Sequence, residues 1–253
     1  MKKFALAGAL LVLAASAFAA KDKPKLPDTG NPHNWLATSA VTDGGHRLGN
    51  PAAPTKLMEF VSYTCPHCGH FFQEADAPMK LLLVQPGKVS VELRHLIRDP
   101  VDLTAAVMTE CVEPAKFFRT SDMLFARQEE WLSKIEATSP AQQARWFQGP
   151  IAQRMQAIAS DAGFYQMMEP SGYSRSQIDQ CFNDTGKVDA IIKQSHDDAM
   201  QFGVNSTPSF VVNGKTLDIH TWDDLQKVLG APATASATAP DDDSAFDLER
   251  TKS

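Results

Sequence analysis

The chain has 253 residues, with 24 lysines and arginines against 30 aspartates and glutamates, a formal net charge of −6. It carries no basic stripe, which argues against nucleic-acid binding. Once the two ends described below are set aside, roughly 210 residues remain, ample for a sizeable core in one large domain or two small ones. After the N-terminal stretch no segment reaches the ~18 apolar residues of a membrane-spanning helix.

Residues 1–20 read as a secretory signal peptide. Lys2-Lys3 form a basic start, Phe4 to Leu13 an apolar stretch, and Ala17-Phe18-Ala19 a small-x-small cleavage site, with the cut near Ala19 or Ala20. The reading implies a soluble, exported mature protein, and the short Lys-Lys-led signal a bacterial periplasm. Residues 21–41 read as a leader, extended from Pro24 to about Pro32. Thr42 to Pro51 is rich in turn residues.

Thr55 to Tyr63 then reads as a mostly buried strand, and Pro66 to about Leu83 as a helix. Val89, Val91 and Leu93 alternate with polar residues in a second strand, Val89 to Leu96. This βαβ spacing predicts a parallel pair joined by a right-handed crossover. Residues 42–101 hold this first unit.

Residues 102–201 are helical in pattern with no convincing strand. The first of these helices is expected to open at Asp102 and to continue past Cys111. Ser139-Pro140 caps another, with Pro in the first turn. Ile151, Met155, Ile158 and Ala159 mark one apolar face that Gly163 ends. Ser174 to Phe182 and Val188 to Phe202 give two more helices.

Strand character returns within 202–230. Ser209 to Val212 and Thr216 to Ile219 flank Asn213-Gly214, a strong two-residue hairpin signal. Thr221 is the N-cap of a last helix, with Asp224 at N3, that ends at Leu229-Gly230. Residues 231–253 read as a disordered acidic tail around Asp241-Asp242-Asp243. The element order is therefore βαβ, a helical block, then ββα: an α/β fold whose mixed central sheet is interrupted by an all-helical insertion.

The chemistry concentrates in Cys65-Pro66-His67-Cys68. Cysteines separated by two residues fit one helical turn, with the first exposed at the N-cap. Free N–H groups and the positive end of the helix dipole there favour a thiolate. Strand, CxxC, helix is the setting in which this motif means redox exchange. A metal held by Cys65, Cys68 and His70 is the competing reading, as is a purely structural disulfide. Glu59 is an acid inside an apolar strand, either reaching water at a strand edge or buried. Pro208 is a bland turn proline or part of the site. Cys111 and Cys181 are free buried thiols or a structural disulfide. His33, His46, His95, His196 and His220 are scattered, without ligand partners at helical spacing.

Glu59-Phe60 with Cys65-Pro66-His67-Cys68, and Gly203-Val204-Asn205-Ser206-Thr207-Pro208-Ser209-Phe210, carry a family likeness. The chain resembles the DsbA-like thiol-disulfide oxidoreductases of the thioredoxin superfamily from about Thr42 to Gly230. Asp43 to Pro51 resembles the branch often found in alpha-proteobacteria. The resemblance implies a thioredoxin fold with an inserted helical domain. It implies Cys65 as exposed nucleophile, Cys68 as buried resolving thiol, Pro66 in the first helical turn, and His67 as a stabiliser of the thiolate. It implies a cis Pro208 facing the motif, with the Thr207 backbone pairing an extended substrate peptide. It implies Glu59 as a buried acid that moves the Cys68 proton. Related branches carry a second disulfide, which favours a Cys111–Cys181 bridge.

By the same resemblance the protein is expected to be a monomeric oxidase, without cofactor or metal. Its partners would be reduced substrate proteins and a quinone-linked membrane reoxidant of the DsbB type. Isomerases of the related type carry an N-terminal dimerisation domain, for which the short leader leaves no room. Isomerase, reductase, or a metal- or peptide-binding module on the same fold are the alternatives.

Overall fold

Six strands lie in one sheet: β1 (Ser39–Val41), β2 (His46–Leu48), β3 (Thr55–Val61), β4 (Val89–His95), β5 (Ser209–Val212) and β6 (Lys215–Leu217). Their order is β1-β2-β4-β3-β5-β6. This computed structural model describes residues 33–230; the signal segment, most of the leader and the acidic tail lie outside the described residues. β3 and β4 are parallel, with Leu57 beside Val91 and Val61 beside His95. The connection between them is α1 (Pro66–Met79), which runs on into a π-helical turn, Lys80–Val84. Pro78 withdraws one N–H from the ladder just before the pitch changes. β5 pairs antiparallel with β3, and β6 with β5. Asn213 and Gly214 both take positive φ, the two-residue turn that matches strand twist.

The N-terminal edge differs from its expected form. Ser39–Val41, expected in the leader, and His46–Leu48, in the turn-rich stretch, form a hairpin that pairs with β4. Strands of three residues are too short to show a period of two.

The helical block comprises α2 (Pro100–Thr109), α3 (Phe117–Ala126), α4 (Gln128–Glu136), α5 (Pro140–Ala144), α6 (Ile151–Ala162), α7 (Phe164–Met168), α8 (Arg175–Phe182) and α9 (Thr185–Phe202). Its caps follow side-chain chemistry. Ser139 and Ser174 form capping boxes, and Gly163 and Gly203 end helices in the left-handed conformation. α2 starts earlier than Asp102, because Asp99 caps it by accepting from the Asp102 N–H at 2.8 Å. It also stops at Thr109, short of Cys111. α10 (Trp222–Leu229) closes the fold, with Thr221 accepting from Asp224 N.

Three apolar clusters hold these layers together. The largest runs from Val61 and Tyr63 through both motif cysteines into Phe117, Phe125, Trp131 and Phe164 of the helical block. A second packs Phe71 of α1 and Trp222 of α10 on Leu57, Val91 and Phe210. A third covers the opposite sheet face with Phe60, Val204 and Val211. Each fully buried aromatic of this kind stabilises the fold by about 1.5–3 kcal/mol relative to exposure. The motif cysteines thus sit where the sheet meets the insertion. Cys111 and Cys181 are bonded, with Cα atoms 5.8 Å apart.

Candidate active site

β3 leads through Ser62-Tyr63-Thr64 to Cys65, the N-cap of α1, with Pro66 at the first helical position. The Cys65 carbonyl accepts from Cys68 N at 3.1 Å and Gly69 N at 3.2 Å, so the helix begins on the motif itself. Both cysteines are thiols. Contrary to the expected exposed nucleophile, Cys65 is only 1 % accessible, against 2 % for Cys68. The reason is the Thr207–Pro208 loop, which lies against the sulfur. Cys65 Sγ donates to the Thr207 carbonyl at 3.2 Å. The Thr207–Pro208 peptide is cis. The Thr207 hydroxyl is buried beside the motif sulfurs, where it helps to lower both thiols.

The two sulfurs are electrostatically unequal. The Cys65 thiol is held well below its ordinary range, first by a hydrogen bond with Cys68. Burial opposes this; Thr207, the Cys68 N–H and the charge of Arg98 reinforce it. The Cys68 thiol is pushed up, first by burial and then by Cys65. Pro66 and His67 are exposed on the first turn. The cation that acts on Cys65 is Arg98, a residue the motif does not announce.

The loop ahead of Cys65 is fastened from the helical block. Asp102 accepts from Tyr63 N at 2.7 Å and from Arg98 N at 3.0 Å. Asp99 accepts from the Thr64 hydroxyl at 2.6 Å. Burial, then repulsion from Asp99, pushes the Asp102 carboxyl up to about 7. Gln128, at the start of α4, donates through Nε2 to the carbonyls of Tyr63 at 2.8 Å and Cys65 at 2.9 Å. Gly69 makes room for that amide: a Cβ there would lie 2.0 Å from Gln128 Oε1. The Asp99-Pro100 pair was readable as a helix start, but nothing near Gln128 in sequence marks it.

Glu59 lies on the same face of β3 as Leu57 and Val61, between the two larger cores. β3 is flanked by β4 and β5, so the strand-edge reading fails, and Glu59 is 8 % accessible. Burial, then repulsion from Asp76, raises its carboxyl to about 8, with Lys80 opposing and Asp122 adding. Lys80 Nζ sits 2.6 Å from Asp76 and 2.5 Å from Asp122. These groups line a cavity of about 40 Å³ with Glu59, large enough for a water molecule. Asp76 and Lys80 are on α1 and its extension, and Asp122 is on α3, so only the fold brings them together.

The histidines expected to be scattered are partly gathered. His46 Nε2 lies 3.0 Å from Glu110, and His95 Nε2 lies 3.2 Å from it. Burial would raise Glu110, but the two imidazoles outweigh it and hold the carboxyl at about 2. His46 stacks on Phe117 with ring centroids 3.6 Å apart. Among the described residues no group of three or more His, Cys, Asp or Glu is placed to hold a metal ion, the Cys65, Cys68 and His70 set included.

Comparison with known proteins places this geometry. A family model described as Thioredoxin matches residues 41–231. A solved structure titled protein-disulfide isomerase from Novosphingobium aromaticivorans is 41% identical, with TM-score 0.72, and the match covers 75% of this chain and 98% of that one. The alpha-DsbA1 structure from Wolbachia pipientis shares the fold at 20% identity and TM-score 0.58, covering 75% of this chain and 91% of that one. A putative protein-disulfide oxidoreductase of Rickettsia prowazekii is 22% identical over 76% of this chain and 62% of its own length. Its counterpart in Rickettsia conorii is 24% identical over 70% of this chain and 56% of its own length. The chain therefore spans only 56–62% of the length of these curated relatives. With the family match covering most of its length, a CxxC on a helix N-cap and the parallel β3–β4 pair, the chain belongs to the thioredoxin family.

Proposed function

We propose that the protein is a thiol-disulfide oxidoreductase that donates disulfides to exported proteins in the periplasm through Cys65 and Cys68. The observation that carries this reading is the CxxC turn on the N-terminus of α1, with Cys65 Sγ 3.2 Å from the Thr207 carbonyl, where Cys65 is lowered and Cys68 raised. In the oxidised form a substrate thiolate attacks Cys65 Sγ. A substrate–Cys65 disulfide forms, the Cys65–Cys68 bond breaks, and Cys68 leaves as a thiolate that takes up a proton. A second substrate thiolate then attacks the substrate sulfur and expels Cys65 as its stabilised thiolate. The substrate loses two electrons and the protein gains them; a quinone-linked membrane protein of the DsbB type removes them.

Stabilising the departing Cys65 thiolate favours the reduced protein and so raises the potential. Glu59, held near 8 beside a water-sized cavity, is the acid assigned to proton transfer with Cys68. Thr207 and Pro208, against the Cys65 sulfur, form the surface for substrate backbone. His67, exposed beside them, adds to the electrostatics of the first turn.

Equilibration with glutathione tests the proposal. A potential well above the about −270 mV of thioredoxin is expected, and a value at that level sinks the oxidase reading. The 41% identical structure titled a protein-disulfide isomerase favours a second reading, isomerisation of wrong disulfides. Rescue of a scrambled substrate by the reduced protein, without net oxidation, would select it.

A further inference from the structure

β3 and β4 run parallel with Val61 beside His95, so the segments leaving their carboxyl ends start side by side. One leads through Ser62-Tyr63-Thr64 to Cys65; the other leads through Leu96 and Ile97 to Arg98. Leu96 N donates to Val61 O at 2.8 Å, which carries the pairing past the last strand residues. Beyond that point the Asp102 carboxylate takes over, with one oxygen on Tyr63 N and the other on Arg98 N. Asp99 adds the tie to Thr64. The carboxyl ends of adjacent parallel strands are where open α/β sheets present their ligand sites.

The Arg98 side chain is exposed and, among the described residues, has neither an ion pair nor a hydrogen bond. The neighbouring acids are already engaged: Asp102 with Tyr63 and Arg98 backbone, Asp99 with Thr64 and the Asp102 N–H. An unpaired guanidinium on the strand end next to the segment that leads to Cys65 is notable on a chain of net charge −6, whose overall field repels acidic polypeptides.

We infer that Arg98 is a specificity residue of the redox site, favouring substrate cysteines flanked by aspartate or glutamate over those flanked by lysine or arginine. The inference rests on exchange at Cys65 as proposed above. An unpaired cation in water acts weakly across several ångströms, so the preference is about threefold and falls as salt approaches ~1 M.

The test uses the full chain and two peptides, each with one cysteine, flanked by Asp residues in one and Lys residues in the other. Mixed-disulfide formation with the oxidised protein is timed at low salt. The Asp peptide is expected to react about threefold faster, with the ratio kept in Arg98→Lys and falling to one or below in Arg98→Gln. Equal rates in the unaltered protein, or a preference that survives Arg98→Gln, overturn the inference. Taking a ratio cancels any change in Cys65 reactivity common to both peptides. If the oxidised protein reacts with neither, the oxidase reading fails, but the specificity is still decided in reverse. The Cys65 thiolate of the reduced protein attacks each peptide's symmetric disulfide and releases one peptide thiolate. Cys68 then displaces the second, and the same ratio is read.

Discussion

The molecule holds two cysteine pairs in opposite settings. Cys65 and Cys68 are three positions apart and remain thiols, whereas Cys111 and Cys181 are 70 positions apart and bonded. Cys65 caps the N-terminus of α1, where the Cys68 N–H and the positive dipole end favour a thiolate. Cys111 follows the C-terminus of α2, where Sγ lies 3.0 Å from the Val107 carbonyl, an acceptor that disfavours one. Helix polarity, rather than burial, separates the CxxC pair from the disulfide pair, since Cys65 and Cys68 are more deeply buried than Cys111 and Cys181.

The sharpest way to break this contrast is to remove one sulfur from each pair. Cys65→Ser is expected to abolish exchange with a reduced peptide, while Cys111→Ser leaves exchange at Cys65 measurable. Replacing both Cys111 and Cys181 by Ala should lower stability by about 4 kcal/mol, the loop-closure value for a bridge of this span. Urea titration reads that loss. The potential of the Cys65–Cys68 pair should stay the same, and a large shift would mean that the two pairs are not independent.

Glu59 tests the acid beneath the exchanging pair. Its folded value of about 8 lies above the ordinary 4.5, so between those pH values the native state binds more protons than the unfolded chain. Stability therefore falls as pH rises through this window, by up to about 5 kcal/mol at ~1.4 kcal/mol per pH unit. Glu59→Gln should remove the slope and stabilise the protein at pH 8 by about 3 kcal/mol, after allowing for a buried amide. Slower release of substrate by the same variant, with the pH slope gone, would tie the carboxyl to proton transfer. Glu110 has the opposite sign. Its value of about 2 makes the stability it contributes present above 4.5 and lost as pH falls towards 2. Acid titration of Glu110→Gln should show that loss missing.

What the sequence disclosed follows the range of the interactions. The CxxC turn, the Ser139 and Thr221 caps and the Asn213-Gly214 turn are set by residues within four positions of one another, and all were readable. The parallel pair followed from the order of elements. The three-residue strands β1 and β2 exist only because β4 offers them an edge. The surroundings of Glu59 join positions 59, 76, 80 and 122, and the clamp on Cys65 comes from Gln128. None of these leaves a local pattern. The burial of Cys65 was hidden for the same reason, since Thr207, which covers it, is 142 positions away.

Gln128 gives a smaller effect on the same contrast. Gln128→Ala leaves the buried Tyr63 carbonyl short of a donor, which should cost about 1–3 kcal/mol, while the Cys65 carbonyl keeps the Cys68 and Gly69 N–H groups. Faster hydrogen exchange confined to the CxxC turn would show that the insertion stiffens the exchanging pair and not the fixed one.

The smallest expected effect belongs to His67. It sits on the turn between the sulfurs but is exposed, so its field at Cys65 is screened by water. Exposed charges contribute at most about 1 kcal/mol, and a two-electron couple converts ~1.4 kcal/mol into ~30 mV. His67→Gln should therefore make the pair less oxidising by no more than about 20 mV against glutathione. A shift of zero removes His67 from the electrostatics and leaves the hydrogen bonds from Cys68 and Thr207, with Arg98, to hold the thiolate. A shift several times larger would mean that the imidazole meets the sulfur directly in the oxidised form, and that the exchanging pair is tuned by its own motif more than by its neighbours.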